Sequence, residues 1–485
     1  MTDLDVLDTP EAGRRVVRGG VLRVGAFVIG IGASVVAAAF VTRHLGTSDY
    51  GRYQTVVALV TIVQIVTDLG MTTLGLREYA QRRGADRDRF IRVLLGLRLA
   101  MTVVGVTLAA AAAVALGYDG DMVLGAALMG VGVTIGVVAG TIGVPLGAEL
   151  RMGAVSGIDL SRQVLTALAF VALVALGSGI VGFLAVTIPV SVFVLAATLY
   201  LVRDRVSLRP SFDARAWAGL LRPTITFALA TAVGSMYVYA AQVLTQLVAD
   251  DHEAGLFGAS FRVYIIVASV PGVLVTTAFP VLSRAARDDR ARLAYATQRL
   301  FEGTALLGGA ALLGCVLGAG PIIDVVAGPE YAGAVPVLRV QGVALALTFV
   351  ISTWGFTLLA MHRHRAMVLA NTVALGVSAA TVLLLANAHG ARGAAFGTLL
   401  GEGVLAMSYL IGITRGDRTM RPDPWPVVRM LPALVLGLAC GLLPLPALVT
   451  TILGLVVYGA VLVVTRAVPD EVYEHLPGPL GRRGG

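Results

Sequence analysis

The residues that could do chemistry are a small set of charges placed inside apolar sequence. Arg98, Arg262 and Arg339 lie in such runs, as do Asp159 with Arg162, Asp68, Glu302 and Glu402; Arg52 and Asp324 sit close to run ends. A charge at the centre of a bilayer costs about 2.5–3.5 kcal/mol, so each must face an aqueous cavity or a polar partner. Arg is well suited to hold phosphate, because its planar fork donates paired hydrogen bonds and never deprotonates. An excess of Arg over acid would favour an anionic headgroup. Two readings stand side by side. Several arginines, with Arg52 and Arg262 first and Arg98 after them, line a basic substrate site; or the charges are structural pairs, as Asp159 and Arg162 one turn apart would be. Tyr237, Tyr239, Gln242, Thr245 and Gln246 form a polar run that could line a sugar path or bond helix to helix.

Other chemistries lack their residues. No phosphate-binding P-loop, nucleophile elbow, His-Glu-x-x-His or Cys-x-x-Cys sequence occurs. No catalytic residue, metal ligand set or cofactor is therefore expected, and transport would run on an ion gradient, on membrane potential or downhill. Cys315 and Cys440 fall in separate apolar segments, which points away from a disulfide framework.

The elements that must position these charges are read from hydropathy. The chain of 485 residues is 57% hydrophobic and 14% charged, well below the roughly 25% charged residues of a soluble domain. Apolar runs against charged breaks predict an all-α polytopic membrane protein with about 14 transmembrane helices. The first six run about 22–42, 53–76, 91–116, 122–146, 154–176 and 180–202. Eight more run about 223–248, 256–282, 297–320, 334–360, 366–386, 393–414, 427–444 and 447–466. The first run follows Arg14, Arg15 and Arg18 and is too long for a signal core, so it reads as a first span.

Arginine placement tests that division. If the N-terminus is cytoplasmic, the inner loops 77–92, 203–222, 283–299, 361–365 and 415–429 carry most loop arginines, while opposite loops hold only Arg43, Arg52 and Arg392 beside acids such as Asp119, Asp121 and Asp250. An error of one helix would scramble the alternation, so an even count with both termini inside is expected. The net charge of +8 then reads as loop arginine against anionic lipid, with no nucleic-acid partner. All the basic residues are Arg, which fits a GC-rich bacterial genome.

Phe212, Trp217, Leu220 and Leu221 against Asp213, Arg215 and Arg222 predict a short interfacial helix. A weak repeat supports two halves: Tyr50-Gly51-Arg52-Tyr53 opens span two as Ala254-Gly255-Leu256-Phe257 opens span eight. The expected organisation is a cytoplasmic leader (1–21), an N-lobe (22–202), a cytoplasmic linker with the interfacial helix (203–222), a C-lobe (223–414), two further spans (415–467) and a cytoplasmic tail (468–485). Two six-helix lobes of equal orientation imply a pseudo-two-fold axis along the membrane normal. Pro145, Pro189, Pro271, Pro280 and Pro321 mark expected kinks or helix ends.

Leu45-Gly46-Thr47-Ser48-Asp49-Tyr50-Gly51-Arg52-Tyr53, then Thr67-Asp68-Leu69-Gly70 and Arg77-Glu78, resemble the polysaccharide-biosynthesis flippases of the multidrug/oligosaccharidyl-lipid/polysaccharide exporter superfamily. Ala254 to Arg262, Phe279-Pro280-Val281-Leu282-Ser283-Arg284, Gly328-Pro329-Glu330-Tyr331 and Val337-Leu338-Arg339 agree with the family's second half. The resemblance implies two six-helix lobes around a basic cavity that opens alternately to each side of the bacterial plasma membrane. It implies an undecaprenyl-diphosphate-linked oligosaccharide as substrate, its diphosphate and glycan in the cavity and its tail in membrane lipid, with polysaccharide polymerase machinery as a possible partner. Asp68 and Gln242 join Arg52, Arg262 and Arg98 as candidate cavity residues. Many relatives carry an acid where this chain has Gln242, so ion coupling there is in doubt. Three other readings remain open: cation-coupled multidrug efflux on the same fold, a membrane glycan polymerase, and a transporter-like scaffold.

Overall fold

A computed structural model describes residues 10–465 and 467, apart from 69, 150, 204–208, 223–224 and 416–417. The first part of the expected leader, the middle of the linker and the tail 468–485 lie outside the described residues. Among the described residues all regular structure is helical: seventeen α-helices and a few single 3₁₀ turns. Eleven helical stretches among the described residues are long and apolar enough to cross a membrane. With that composition, the chain is an integral membrane protein.

In chain order the helices are α1 Pro10–Asp68, α2 Met71–Gln81, α3 Ala85–Ala115, α4 Gly120–Ile142, α5 Val144–Ala148, α6 Met152–Ala175, α7 Ile180–Ala185, α8 Thr187–Val202 and α9 Ala214–Leu221. Then follow α10 Ile225–Val248, α11 Asp251–Asp288, α12 Arg290–Leu317, α13 Ala319–Val326, α14 Ala334–Ala360, α15 His364–Thr414, α16 Trp425–Ala439 and α17 Ala447–Val464. Two helices hold more than one expected span. The backbone leaves the helical region at Gly46 inside α1, and at His389 and Gly390 inside α15. Both breaks fall where the apolar runs were separated by short polar loops, and glycine supplies the positive φ each time. Pro145 and Pro189 fall in the first turns of α5 and α8, and Pro321 in that of α13, where a missing N–H is harmless. Pro271 and Pro280 lie inside α11, which continues through them.

The chain divides into two compact units. Unit 1 is Met1–Gly46 with Arg52–Ala232; unit 2 is Thr47–Gly51 with Val233–Gly485. In unit 1, α4 packs on glycine and alanine: Gly125, Ala126, Gly130, Gly132 and Ala139 are all buried. Small residues let helix backbones approach, which in lipid replaces the hydrophobic drive. The short helix α9 forms as expected. Asp213 caps it, accepting from Arg215 N at 3.0 Å and Ala216 N at 3.2 Å. Trp217, Leu220 and Leu221 pack on the cluster of Met71, Tyr79, Phe90 and Leu94 from α2 and α3. Unit 2 is built around Tyr237, Leu282, Phe301, Trp354, Leu405 and Tyr409, with a satellite cluster joining α16 and α17 to α12 through Leu313, Met430 and Tyr458.

Candidate functional site

Most of the expected intramembrane charges have partners within their own unit, and burial separates the firm pairs from the loose ones. In unit 1, Arg98 on α3 is only 5% exposed. Its Nη2 pairs with Asp68 Oδ1 at the end of α1 and donates to Thr72 Oγ1 at 3.2 Å, while Thr72 Oγ1 itself donates to Asp68 Oδ1 at 2.9 Å. Among the described residues Nε and Nη1 of Arg98 find no hydrogen-bond partner. Arg52, also in unit 1, pairs with Asp119, which caps α4 by accepting from Met122 N at 2.9 Å. That pair is open, with 21% and 45% of the two side chains exposed. Exposed ion pairs contribute about 0–1 kcal/mol, and this one opens to solvent on its Asp119 side. Removing the partner of a buried pair costs about 3–5 kcal/mol. Arg98 is thus the more deeply buried of the two pairs' arginines, and Arg52 the more accessible. Near Arg52's partner, burial pushes the Tyr118 phenol up to about 12, which keeps it neutral at physiological pH.

In unit 2, Arg262 lies half-buried on α11, on the helix whose Phe261 stacks against Phe257 and Tyr264 with centroids 5.7 and 5.8 Å apart. Its guanidinium stands close enough to the Tyr50 and Tyr239 hydroxyls to act on both electrostatically. A guanidinium beside two phenols, against an aromatic stack, is chemistry suited to a phosphate next to sugar rings. Tyr50 comes here because the segment 47–51 packs in unit 2. A Cβ on Gly51 would overlap the Asp251 carbonyl oxygen, and one on Gly255 would overlap that of Thr47. Thr47 Oγ1 and His252 Nδ1 are hydrogen-bonded at 2.8 Å, and Tyr50 meets the edge of Tyr331 at 6.0 Å. The two glycines of the sequence repeat are therefore partners: each allows the other strand of backbone to touch it.

Gln242 on α10 is fully buried, its Nε2 donating to the Ala254 carbonyl at 3.1 Å across to α11. In this structure it joins helices. Elsewhere in unit 2, Glu302 pairs with Arg299 at 3.0 Å and accepts from Gln298 at 2.9 Å. Glu402 on α15 is buried among hydroxyls: Oε1 accepts from Tyr264 at 2.9 Å, and the Tyr264 oxygen is 2.9 Å from Thr348 Oγ1. Among the described residues Glu402 forms no ion pair, and its Oε2 has no hydrogen-bond partner.

One expected pair is not made. Asp159 and Arg162, one turn apart on α6, are both exposed, and no ion pair within 4.0 Å joins them. A one-turn spacing puts two side chains on one face but does not oblige them to meet, and exposure removes the desolvation that would reward it. Sequence reasoning also missed the pairing of Arg52 with Asp119 and of Arg98 with Asp68, and the convergence of Tyr50 with Arg262. The matched glycines of the repeat were the one sequence signal for the last.

Residues 40–336, more than half of the chain, match the family described as "Polysaccharide biosynthesis protein", and the chain belongs to that family. Among solved structures it is similar in fold to the lipid II flippase MurJ, at 12% identity and a TM-score of 0.73, over 92% of this chain and 98% of that one. A multidrug resistance MATE family transporter of the MOP superfamily matches at 14% identity and a TM-score of 0.67, over 82% of this chain and 98% of that one. A MOP superfamily transporter from Pyrococcus furiosus matches at 15% identity and 0.57, over 84% and 96%. No curated protein matches in sequence. The chain thus has the fold of these solved structures.

Proposed function

We propose that this protein flips a polyprenyl-diphosphate-linked oligosaccharide across the bacterial plasma membrane for cell-surface polysaccharide synthesis, by alternating access. In this reading the chain spans the membrane 14 times with both termini cytoplasmic. Counting both arms of α1 and of α15 as spans gives that number. Arg52 and Arg262 hold the diphosphate, Arg98 and Asp68 brace the N-lobe beside it, and Gln242 fixes the start of α11 rather than touching glycan. Membrane lipid surrounds the polyprenyl tail.

The observation that carries the reading is a part-exposed arginine able to hold phosphate, Arg52 in its pair with Asp119, in a chain of the polysaccharide biosynthesis family with a flippase-like fold. Cation-coupled drug efflux shares the fold through the MATE likeness, but guanidinium groups such as those of Arg52 and Arg262 suit an anionic headgroup better than a cationic drug. Arg262→Ala is expected to abolish glycan export while the protein's membrane level stays at wild type. Wild-type export by that variant would refute the site, and drug hypersensitivity of a deletion strain with intact surface glycan would favour efflux.

A further inference from the structure

The helix α6 carries charge where a span should carry none. Its 24 residues rise about 36 Å, enough to cross a hydrocarbon core of about 30 Å. Arg162 falls in its middle third and Asp159 at the end of its first; both are exposed, and among the described residues neither forms an ion pair. Among the described residues their hydrogen bonds are made by their carbonyls: Gln163 Nε2 donates to the Asp159 carbonyl at 3.4 Å and Thr166 Oγ1 to the Arg162 carbonyl at 2.8 Å.

Ala154, Val155 and Ile158 pack with Leu195 and Leu199 of α8. Val155, one turn before Asp159, and Phe170, one turn past Thr166 and against Phe183 of α7, bracket the charged stripe with packed residues, and the charges lie between them. Val164, Leu168 and Val171 are exposed apolar residues, a face made for lipid. Asp159, Arg162 and Thr166 recur at the three- and four-residue spacing of a single stripe. Leu168 is nine residues from Asp159 and Val171 nine from Arg162, which at about 100° per residue is about 180° around the helix. The charged stripe therefore points away from the lipid face. Beside it, the Gln163 amide fills the space that a side chain at Gly30 of α1 would need, which keeps α6 and α1 in register. None of the residues of α6 with described burial is fully buried, as expected of a helix with an open aqueous flank.

Exposed charge at that depth cannot face hydrocarbon, so the stripe faces water. We propose that Asp159, Arg162 and Thr166 form a headgroup-binding strip in unit 1. Arg162 takes a phosphate or a sugar carboxylate, and Asp159 and Thr166 take sugar hydroxyls. This inference rests on the flippase reading, since a lipid-linked glycan is the solute that presents anionic and hydroxyl groups together at membrane depth.

The test uses the full-length protein in native membrane vesicles, with Cys315 and Cys440 (both buried) changed to alanine. Single cysteines are then introduced as Asp159→Cys, Thr166→Cys, Leu168→Cys and Val171→Cys and reacted with a membrane-impermeant maleimide. Labelling at 159 and 166 but not at 168 and 171 is expected. No labelling at 166 would mean that another helix or lipid covers the stripe and would overturn the proposal. The Thr166→Cys reaction is then compared between vesicles from cells that make lipid-linked glycan and from cells lacking the first glycosyltransferase. Glycan should slow it several-fold. Equal rates would show an aqueous stripe that binds no glycan, which refutes the strip and leaves the flippase reading untouched. Separately, Arg162→Ala should lower export about tenfold at normal membrane level, the effect of one charge-assisted hydrogen bond, with Arg162→Lys partly restoring it; full export by Arg162→Ala would contradict the proposal. If deleting the whole protein leaves export intact, the flippase reading itself fails.

Discussion

Arg98 is the residue where burial and function can be told apart by experiment. It is 5% exposed, its charge is met by Asp68, and Thr72 completes the cluster. Asp68→Asn keeps the shape and removes the counter-charge, leaving a buried guanidinium uncompensated. Breaking a buried pair costs about 3–5 kcal/mol. Because 28% of the Asp68 side chain is exposed, water can reach the site and the cost falls at the low end, about 3 kcal/mol. Replacing both partners, as Asp68→Asn with Arg98→Met, removes the buried charge as well, and such exchanges are often near neutral. The double variant should therefore recover most of the stability lost in the single one. The assay is thermal unfolding of the detergent-solubilised protein followed by tryptophan fluorescence, with surface glycan measured in parallel. If Arg98 only braces the helices, the double variant regains both stability and export. If Arg98 also touches the diphosphate, stability returns and export does not. An Asp68→Asn protein as stable as wild type would refute the reasoning, because the pair would then contribute nothing.

Other sites give distinct expectations. Glu402→Gln keeps an acceptor for the Tyr264 hydroxyl and should change stability by less than about 1 kcal/mol, whereas Glu402→Ala removes that acceptor, leaves the hydroxyl to Thr348 alone and opens a cavity, and should cost about 2–4 kcal/mol; denaturation of both variants checks this. Gly255→Ala forces a methyl group onto the Thr47 carbonyl and should cost about 1–3 kcal/mol by overpacking. The same change at Gly272, with open space around it, should leave the melting temperature at or slightly above that of wild type.

Much of the fold was legible because membrane insertion is unforgiving. An arginine in the wrong loop or a charge in the wrong helix is costly, so hydropathy and Arg placement marked the runs that became α3, α4, α6, α10, α12, α14 and α17. The site was less legible. Hydropathy says that Gln242 lies in a helix but not which way it points, and only packing shows it bonded to Ala254. Spacing put Asp159 near Arg162 but could not show that both look outward. The partners of Arg52 and Arg98 are 67 and 30 residues away, and no local pattern links such positions. The repeated glycines were visible as a motif, while their contact across some two hundred residues was a property of the folded chain alone.

The central claim is that the protein moves a lipid-linked glycan, and the most direct measurement follows that molecule. Depleting the protein and analysing the membrane lipids by mass spectrometry, with a soluble glycosidase added to sort glycan by face, should show polyprenyl-diphosphate-linked oligosaccharide accumulating on the cytoplasmic side while surface polysaccharide falls. Depletion that leaves the lipid-linked glycan at its normal level and on its normal face would contradict the account.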